Sequence, residues 1–278
     1  MPESAVAAMT VHDAILHAVA TLEEAGCDTP RLDAELLLAS VLGVGRSRLV
    51  LDRDVELDSG AATRFADLVC RRADREPVAY ILGSKEFRRI SLRVDSRVLI
   101  PRPETELLVE VALSLPARAR VVDAGTGSGA VALAVKDERP DLSVIGVDVS
   151  EGAIALARSN AARLGLDVEF VVGDLFEGVD VPDAVLANLP YVSRGASLPP
   201  DIARYEPAQA LFGGADGLDV IRRLIAAVGS VALVALEVGF DQADAVAGFL
   251  AGSGFASVGR LRDLAGHERV VVGRRARR

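Results

Sequence analysis

The sequence contains no tryptophan, and only 4% of its 278 residues are aromatic. Half of the residues are nevertheless hydrophobic, so aliphatic side chains have to form most of the core. Strands rich in aliphatic residues are typical of α/β proteins, whose parallel sheets are covered by helices on both faces. The longest apolar runs, such as VALVAL at 231–236, are strand-sized, whereas a membrane helix needs about 20 residues. We therefore expect an α/β protein without a membrane-spanning helix.

Cysteine and histidine are also scarce. Two cysteines, Cys27 and Cys70, are too few for a disulfide framework. Three histidines, His12, His17 and His267, are too scattered for a metal cluster. The first ten residues lack the basic region and long apolar region of a secretory signal peptide. We predict no metal site and a cytoplasmic protein with reduced cysteines.

Positive charge is in deficit, because the net charge is −9. Affinity for nucleic acid comes largely from basic residues that neutralise phosphates. The charge balance therefore does not favour direct nucleic-acid binding.

The first part of the chain has the periodicity of helices. After Thr10, which can cap a helix, apolar residues recur at three- and four-residue spacing. Pro30 suits the first position of a second helix, and a third helical pattern begins near Asp58. We predict a small all-α N-terminal domain over residues 1–84 that docks the substrate. Residues 85–100 then mostly alternate apolar and polar side chains, which predicts a β-hairpin connector.

Residues 101–278 alternate between strand-like and helix-like segments. The strand-like segments are RVVDA, SVIGVDV, VEFVVGD, DAVLANL and VALVALEV, with a final pair around 256–273. Alternation with short loops indicates a parallel, doubly wound sheet with both faces covered. Counting these segments, we predict seven strands.

A glycine-rich turn follows the first of these strands, in VVDAGTGSGAV at 121–131. It contains one carboxylate and three alternate glycines, which are Asp123, Gly125, Gly127 and Gly129. Glycines let the chain turn sharply and let the backbone approach a ligand closely. Asp148 ends the next strand, where nucleotide-binding sheets place an acid for the ribose hydroxyls. Both positions fall at the carboxyl ends of neighbouring strands, so we predict a nucleotide site rather than a purely structural turn.

The identity of the nucleotide depends on the glycine spacing. The run Gly125-x-Gly127-x-x-Ala130 also satisfies a loose dinucleotide fingerprint, so a nicotinamide-dependent oxidoreductase is an alternative. However, Asp123, two residues before the first glycine, is suited to a cationic group rather than a pyrophosphate. With Gly129 as its third glycine, the loop resembles that of class I S-adenosylmethionine-dependent methyltransferases.

That resemblance implies the fold class, a class I methyltransferase sheet of seven strands with the last pair antiparallel, and the contacts of the cofactor. The loop, including Thr126 and Ser128, would lie beside the methionine part of S-adenosyl-L-methionine, and Asp148 would hold the ribose. At the third strand end, Asp174 would accept from the adenine amine, and Leu175 would cover the ring. The product would be S-adenosyl-L-homocysteine.

The fourth strand ends in Asn188-Leu189-Pro190-Tyr191, hereafter the tetrapeptide. It resembles the Asn-Pro-Pro-Tyr motif of methyltransferases that act on planar nitrogens. An amide nitrogen is a poor nucleophile because its lone pair is delocalised, so it needs two acceptors that orient its N–H groups. The candidates are the Asn188 side-chain oxygen and the Leu189 carbonyl. Pro190 would fix the backbone, Tyr191 would pack against the planar group, and catalysis would consist of orientation and electrostatics.

The tetrapeptide alone does not select a substrate, because the form with leucine also occurs in ribosomal RNA adenine dimethyltransferases. Leu189 keeps the carbonyl of the usual proline but adds an N–H and loses rigidity. Two alternatives share the tetrapeptide, namely an adenine N6-methyltransferase of ribosomal RNA and an enzyme that methylates a ribosomal-protein glutamine. A third is a non-catalytic nucleotide-binding adaptor, which would keep the glycine loop but would not need the acceptor geometry of the tetrapeptide.

Longer segments resemble the bacterial release factor glutamine N5-methyltransferases. They are TPRLDAELLLASVLG, EPVAYILGSKEF, VLIPRPETE, YEPAQALFGGADGLDVIRRLI and LRDLAGHERVVVGR. The order of domains, with the helical one first, also matches. The resemblance implies methylation of the glutamine in the Gly-Gly-Gln loop of class I peptide chain release factors. It also places PRPETE in the active site, with open roles for Arg102, Glu104, Glu206 and Glu237.

Overall fold

The computed structural model describes residues 9–276. The first eight residues of the predicted helical domain and the last two of the predicted methyltransferase domain lie outside the described residues. The chain divides into two compact units. The helical unit comprises Met1–Gly83 and Pro199–Tyr205, and the sheet unit comprises Ser84–Leu198 and Glu206–Arg278.

In chain order, the helices are α1 (Val11–Glu24), α2 (Pro30–Leu42), α3 (Arg48–Leu51), α4 (Ser59–Ala73), α5 (Val78–Leu82), α6 (Glu106–Leu113), α7 (Ala130–Glu138), α8 (Glu151–Leu164), α9 (Pro200–Tyr205), α10 (Ala208–Leu211), α11 (Asp219–Ala227) and α12 (Ala243–Gly252). The strands are β1 (Ser84–Phe87), β2 (Ile90–Arg93), β3 (Arg120–Ala124), β4 (Ser143–Asp148), β5 (Glu169–Val172), β6 (Ala184–Ala187), β7 (Leu233–Glu237), β8 (Ser257–Arg262) and β9 (Glu268–Arg274). A 3₁₀ turn, Pro103–Thr105, precedes α6.

Three helices of the helical unit, α1, α2 and α4, begin where the sequence predicts. Thr10 forms a capping box with Asp13: the Asp13 N–H donates to the Thr10 hydroxyl at 3.1 Å, and the Asp13 carboxylate accepts from the Thr10 N–H. Pro30 opens α2. The Asp58 carboxylate accepts from the Ala61 N–H at 2.8 Å at the start of α4. The all-α character predicted for this region is confirmed.

A buried ion-pair network fixes α9 to α2 and α4 within the helical unit. Arg72, only 5% exposed, donates through Nε to Asp33 at 2.7 Å and through Nη1 to Asp201 at 3.0 Å. Arg75 also binds Asp201. Because an unpaired buried charge is costly, each member of this network holds the others in place. The packing of α9 with the N-terminal helices was not predicted, because α9 is distant from them in the chain.

The seven-stranded sheet has the order β5-β4-β3-β6-β7-β9-β8. The first five strands in that order are parallel, and β9 lies between β7 and β8 antiparallel to both. The central strands are fully buried; every residue of β6 and β7 is inaccessible or nearly so. The predicted doubly wound sheet with its antiparallel last strands is confirmed.

The hairpin occupies only part of the predicted connector. β1 and β2 pair antiparallel from Ser84 opposite Arg93 to Phe87 opposite Ile90. Beyond Arg93 the chain turns at Asp95, whose carboxylate accepts from the Arg97 N–H at 3.1 Å. Local side-chain bonds of this kind favour turns over strand pairing, so the strand pattern ends earlier than the alternation of apolar residues.

Within residues 9–276, no helix is long and apolar enough to cross a membrane. The same residues contain no group of three or more histidine, cysteine or acidic side chains that could hold a metal ion.

Candidate functional site

A cavity of about 320 Å³ opens at the carboxyl ends of β3, β4, β5 and β6. Ligands of open α/β sheets bind at this edge. Most of the predicted site residues line it, namely Asp123, Gly125, Thr126, Gly127, Ser128, Asp148, Asp174, Leu175, Asn188, Leu189 and Pro190. Gly129 and Tyr191 are not part of its lining, although both lie next to lining residues.

The three glycines of the loop have different tasks. All have positive φ, +75° at Gly125, +55° at Gly127 and +83° at Gly129, which side chains disfavour. A Cβ on Gly125 would meet the Leu189 side chain at 3.1 Å, so this glycine lets the loop approach the tetrapeptide. A Cβ on Gly129 would meet Leu133 at 3.0 Å, so this glycine serves the packing of α7.

Asp123 holds the glycine loop together from within. It is 2% exposed and accepts from the Thr126 hydroxyl at 2.6 Å and the Ala132 N–H at 3.1 Å. Burial raises the pKa of Asp123 to about 6, and these two hydrogen bonds oppose the rise. The carboxylate therefore ties β3 to the start of α7 as well as lining the cavity.

Asp148 connects the end of β4 to the same loop. Its carboxylate accepts from the Gly127 N–H and the Ser150 N–H, both at 2.9 Å. Burial raises the pKa of Asp148, and the backbone hydrogen bonds oppose this effect. A carboxylate has about four acceptor positions, so capacity remains for hydroxyl groups of a ligand in the cavity.

Asp174 has a partner that the sequence did not predict. Arg223 of α11, which also lines the cavity, forms an ion pair with it. Their side chains are 37% and 56% exposed, so this pair contributes little to stability. The neighbouring Leu175 has φ +60°, an uncommon conformation for a leucine. Asp174 therefore lines the cavity and is also paired with Arg223, which would compete with a ligand for its carboxylate.

The amide of Asn188 is held in one orientation by a residue that the sequence analysis did not single out. Asn188 Nδ2 donates to the hydroxyl of buried Thr105 at 3.0 Å. With its nitrogen committed to Thr105, Asn188 presents its oxygen as the acceptor for a ligand. Thr105 belongs to the PRPETE segment, of which only the charged residues Arg102 and Glu104 were candidate site residues from the sequence.

Glycines of the segment after α10 hold the backbone of the tetrapeptide. A Cβ on Gly213 would overlap the Pro190 carbonyl oxygen, and one on Gly217 would overlap the Tyr191 carbonyl oxygen. Gln242 Nε2 donates to that Tyr191 oxygen at 2.9 Å. Gly213 and Gly217 of the motif GGADG are therefore required, because the backbone of the tetrapeptide passes too close to them for a side chain. The sequence pattern alone did not explain these glycines.

The side chain of Tyr191 points to a buried acid. Its hydroxyl donates to Glu237 Oε1 at 3.3 Å. Glu237 is 2% exposed, and burial raises its pKa to about 7. Burial, followed by the Glu237 charge, raises the pKa of Tyr191, which therefore stays protonated at neutral pH.

Arg102 and Glu206 pair with each other. Arg102 Nη2 donates to Glu206 Oε1 at 2.5 Å, and the Ile100 N–H donates to the other oxygen of Glu206 at 3.3 Å. These two hydrogen bonds link the segment before the 3₁₀ turn, through Ile100 and Arg102, to Glu206. Glu104, in that turn, acts on Glu237 by charge and raises its pKa.

Two family models match the chain, the PrmC N-terminal domain over residues 13–83 and the methyltransferase small domain over residues 103–204. The chain is 39% identical over 278 residues to a release factor glutamine methyltransferase of Deinococcus radiodurans, covering 96% of this chain and 99% of that protein. It is 46% identical to the release factor glutamine methyltransferase of Mycolicibacterium smegmatis, covering 77% of each chain.

A solved structure supports the fold alone. The chain is similar to a methyltransferase from Pyrococcus furiosus, with a TM-score of 0.51 and 16% identity, covering 67% of this chain and 89% of that one.

Proposed function

The chain belongs to the release factor glutamine methyltransferase family, and we propose that it methylates the glutamine in the Gly-Gly-Gln motif of class I peptide chain release factors. The methyl group of S-adenosylmethionine would go to the side-chain amide nitrogen, N5, as its bond to sulfur breaks. S-adenosyl-L-homocysteine would leave, and the methylated nitrogen would lose one of its two protons to water. The observation that carries this proposal is the orientation of Asn188, whose Nδ2 is held by Thr105 so that its oxygen is left to accept. Since release factors act at the ribosome, we place the enzyme in the cytoplasm.

The residues around the cavity fit S-adenosylmethionine. Asp148 has acceptor capacity for ribose hydroxyls, and Gly125 and Gly127 allow close approach of the backbone. The hydroxyl of Ser128 is buried in the cavity wall without a hydrogen-bond partner, which is unusual for a buried polar group and suits a ligand that supplies one. When bound, S-adenosylmethionine supplies an electrophilic methyl group on a positively charged sulfur.

The tetrapeptide orients the nucleophile, which is the amide nitrogen of the substrate glutamine. The Asn188 oxygen and the Leu189 carbonyl each accept one N–H of the glutamine amide, which orients the nitrogen lone pair toward the methyl group. Leu189 is buried and packs against Gly125, so the carbonyl is fixed by side-chain packing where a proline ring would otherwise fix it. Such orientation lowers the barrier without a nucleophilic side chain on the enzyme.

The test is a radiolabelled methyl-transfer assay with S-adenosylmethionine. Purified release factor, the same factor with the motif glutamine changed to alanine, and ribosomal RNA are offered in parallel. We expect label on the wild-type release factor only. Label on RNA alone would support the adenine N6-methyltransferase alternative and would refute the proposal.

A further inference from the structure

Asn160 of α8 is fully buried, and both protons of its side-chain amide are used in hydrogen bonds. Its Oδ1 accepts from the Arg93 N–H at 2.8 Å, and its Nδ2 donates to the Arg93 carbonyl at 3.1 Å. Nδ2 donates its second proton to the Ser128 carbonyl at 3.0 Å. Because a turned amide would place its oxygen against two carbonyls, these partners fix its orientation. Asn160 was not among the candidate site residues from the sequence.

The Ser128 carbonyl, in the glycine loop, depends on this contact. At the start of a helix a carbonyl ordinarily accepts from the N–H four residues later. For Ser128 that N–H belongs to Ala132, which donates instead to the Asp123 carboxylate at 3.1 Å. Asn160 therefore supplies the donor that α7 does not. Since a buried carbonyl without a donor is destabilising, the contact holds the peptide that follows Ser128 in place.

The side chain of the same residue belongs to the wall of the cavity. Ser128 is 2% exposed and lines the cavity, and its hydroxyl has no hydrogen-bond partner within residues 9–276. Buried polar groups nearly always have a partner, so this hydroxyl is suited to a ligand. The position of a side chain follows from its backbone, and Asn160 holds the backbone of Ser128. The place of the hydroxyl in the cavity wall therefore depends on Asn160.

Asn160 also binds a second part of the cavity wall. Arg93 is the last residue of β2, and residues 97–99 after it line the cavity. The Asn160 amide accepts one hydrogen bond from the Arg93 backbone and donates one to it, as an antiparallel neighbouring strand does. One buried side chain thus connects the glycine loop to the segment that follows the hairpin.

We propose that Asn160 is a positioning residue for the cofactor, which holds the Ser128 hydroxyl in place for the methionine part of S-adenosylmethionine; this rests on the proposed function. A loop already held in its bound conformation binds more tightly, because less conformational freedom is lost on binding. Asn160 is not part of the cavity lining, so it acts through Ser128. Its loss should weaken cofactor binding and leave the rate of transfer at saturating cofactor nearly unchanged.

Two substitutions remove the contacts of Asn160 at similar side-chain size. In Asn160→Asp, an ionised carboxylate has no proton for the Arg93 and Ser128 carbonyls. In Asn160→Leu, the side chain fills the space but makes no hydrogen bond. A third variant, Ser128→Ala, removes only the hydroxyl through which Asn160 is proposed to act.

The test measures the binding of two ligands by calorimetry, well below the melting temperature of each variant. One is S-adenosylmethionine, and the other is methylthioadenosine, which lacks the amino and carboxyl groups of the methionine part. For both Asn160 variants, Kd for S-adenosylmethionine should rise by about tenfold to a hundredfold, and for Ser128→Ala by about threefold to tenfold. Kd for methylthioadenosine should change by less than about threefold, as should kcat at saturating S-adenosylmethionine.

A double variant tests whether Asn160 acts through Ser128. Changes at residues that share one interaction are not additive. Adding Ser128→Ala to Asn160→Leu should therefore raise Kd for S-adenosylmethionine by less than about twofold, a smaller factor than the same change causes in wild type. Equal factors in the two backgrounds would contradict the connection.

The matched control is Glu138→Gln at the end of α7. The Glu138 side chain is 6% exposed and pairs at 2.7 Å with Arg88, which lies between β1 and β2. It anchors the same hairpin, but at the end of α7 that is distant from the glycine loop. This variant should melt at a lower temperature and bind both ligands within about twofold of wild type.

An equal loss of affinity for both ligands in the Asn160 variants would show that Asn160 only supports the fold, and would overturn the inference. Unchanged affinity for S-adenosylmethionine would overturn it as well. If neither Asn160 variant folds, Ser128→Ala decides, because an unchanged Kd there removes the group on which Asn160 is proposed to act. If wild type itself does not bind S-adenosylmethionine, it is the proposed function that fails.

Discussion

The glycine loop and the tetrapeptide lie at the same edge of one sheet, but they are held in different ways. The loop is fixed mainly by groups close in sequence or on the adjoining strand, with Asp123 bound to Thr126 and Ala132 and Asp148 bound to Gly127. The tetrapeptide is fixed by distant parts of the chain.

The distant supports of the tetrapeptide are Thr105, Gly213, Gly217, Glu237 and Gln242. A nucleotide loop can therefore be encoded in one short motif, whereas the site for the substrate amide depends on the whole fold of the sheet unit. Changes in the glycine loop should consequently affect cofactor affinity, whereas changes around the tetrapeptide should affect the rate of methyl transfer.

The largest effect is expected for Asn188→Ala. Removing one of the two acceptors should lower kcat by about a hundredfold to a thousandfold, the range known for a lost oriented dipole at a reacting group. Kd for S-adenosylmethionine, measured by calorimetry, should change much less. A near wild-type rate would show that Asn188 does not orient the amide.

Gly213→Ala tests the remote support of the tetrapeptide. Its added methyl group would overlap the Pro190 carbonyl, so the backbone has to move and kcat should fall by about a hundredfold. Gly248→Ala in α12, where a Cβ meets nothing within 4 Å, is the matched control and should keep its rate. If both variants have equal rates, close approach at residue 213 is not needed for catalysis.

Asp148→Asn tests the role of the glycine loop, to which Asp148 is bound through Gly127. The neutral side chain weakens hydrogen bonds that a charged acceptor makes, so Kd for the cofactor should rise by about tenfold to a hundredfold. At saturating cofactor, kcat should stay within about threefold of wild type, since the change removes binding rather than orientation. A fall in kcat with unchanged Kd would contradict the assignment of cofactor affinity to the glycine loop and of the transfer rate to the tetrapeptide.

Arg223→Ala should have the smallest effect. The pair with Asp174 is largely exposed, so its loss should change the free energy of unfolding by less than about 1 kcal/mol. Freed from the arginine, Asp174 should accept from the adenine amine at least as well as before, and the cofactor Kd should change by less than about fivefold. A large loss of affinity would assign Arg223 itself to the cofactor site.

The sequence predicted those features that depend on local patterns. Strand and helix alternation, the cap at Thr10, the helix start near Asp58 and the seven-stranded sheet are confirmed. The partners Thr105, Arg223 and Gln242 were missed, because an uncharged hydroxyl, a helix arginine and a loop glutamine carry no distinctive pattern. Likewise, the glycines at 213 and 217 are explained only once the backbone beside them is known.

The central claim is that a side-chain amide nitrogen receives the methyl group. It is tested most directly by locating that group on purified release factor after reaction with labelled S-adenosylmethionine. We predict label on the Gly-Gly-Gln glutamine that survives mild base and is released as methylamine by acid hydrolysis. Label released by mild base as methanol would indicate a methyl ester, and label on any other residue would contradict the orientation of a glutamine amide by Asn188 and Leu189.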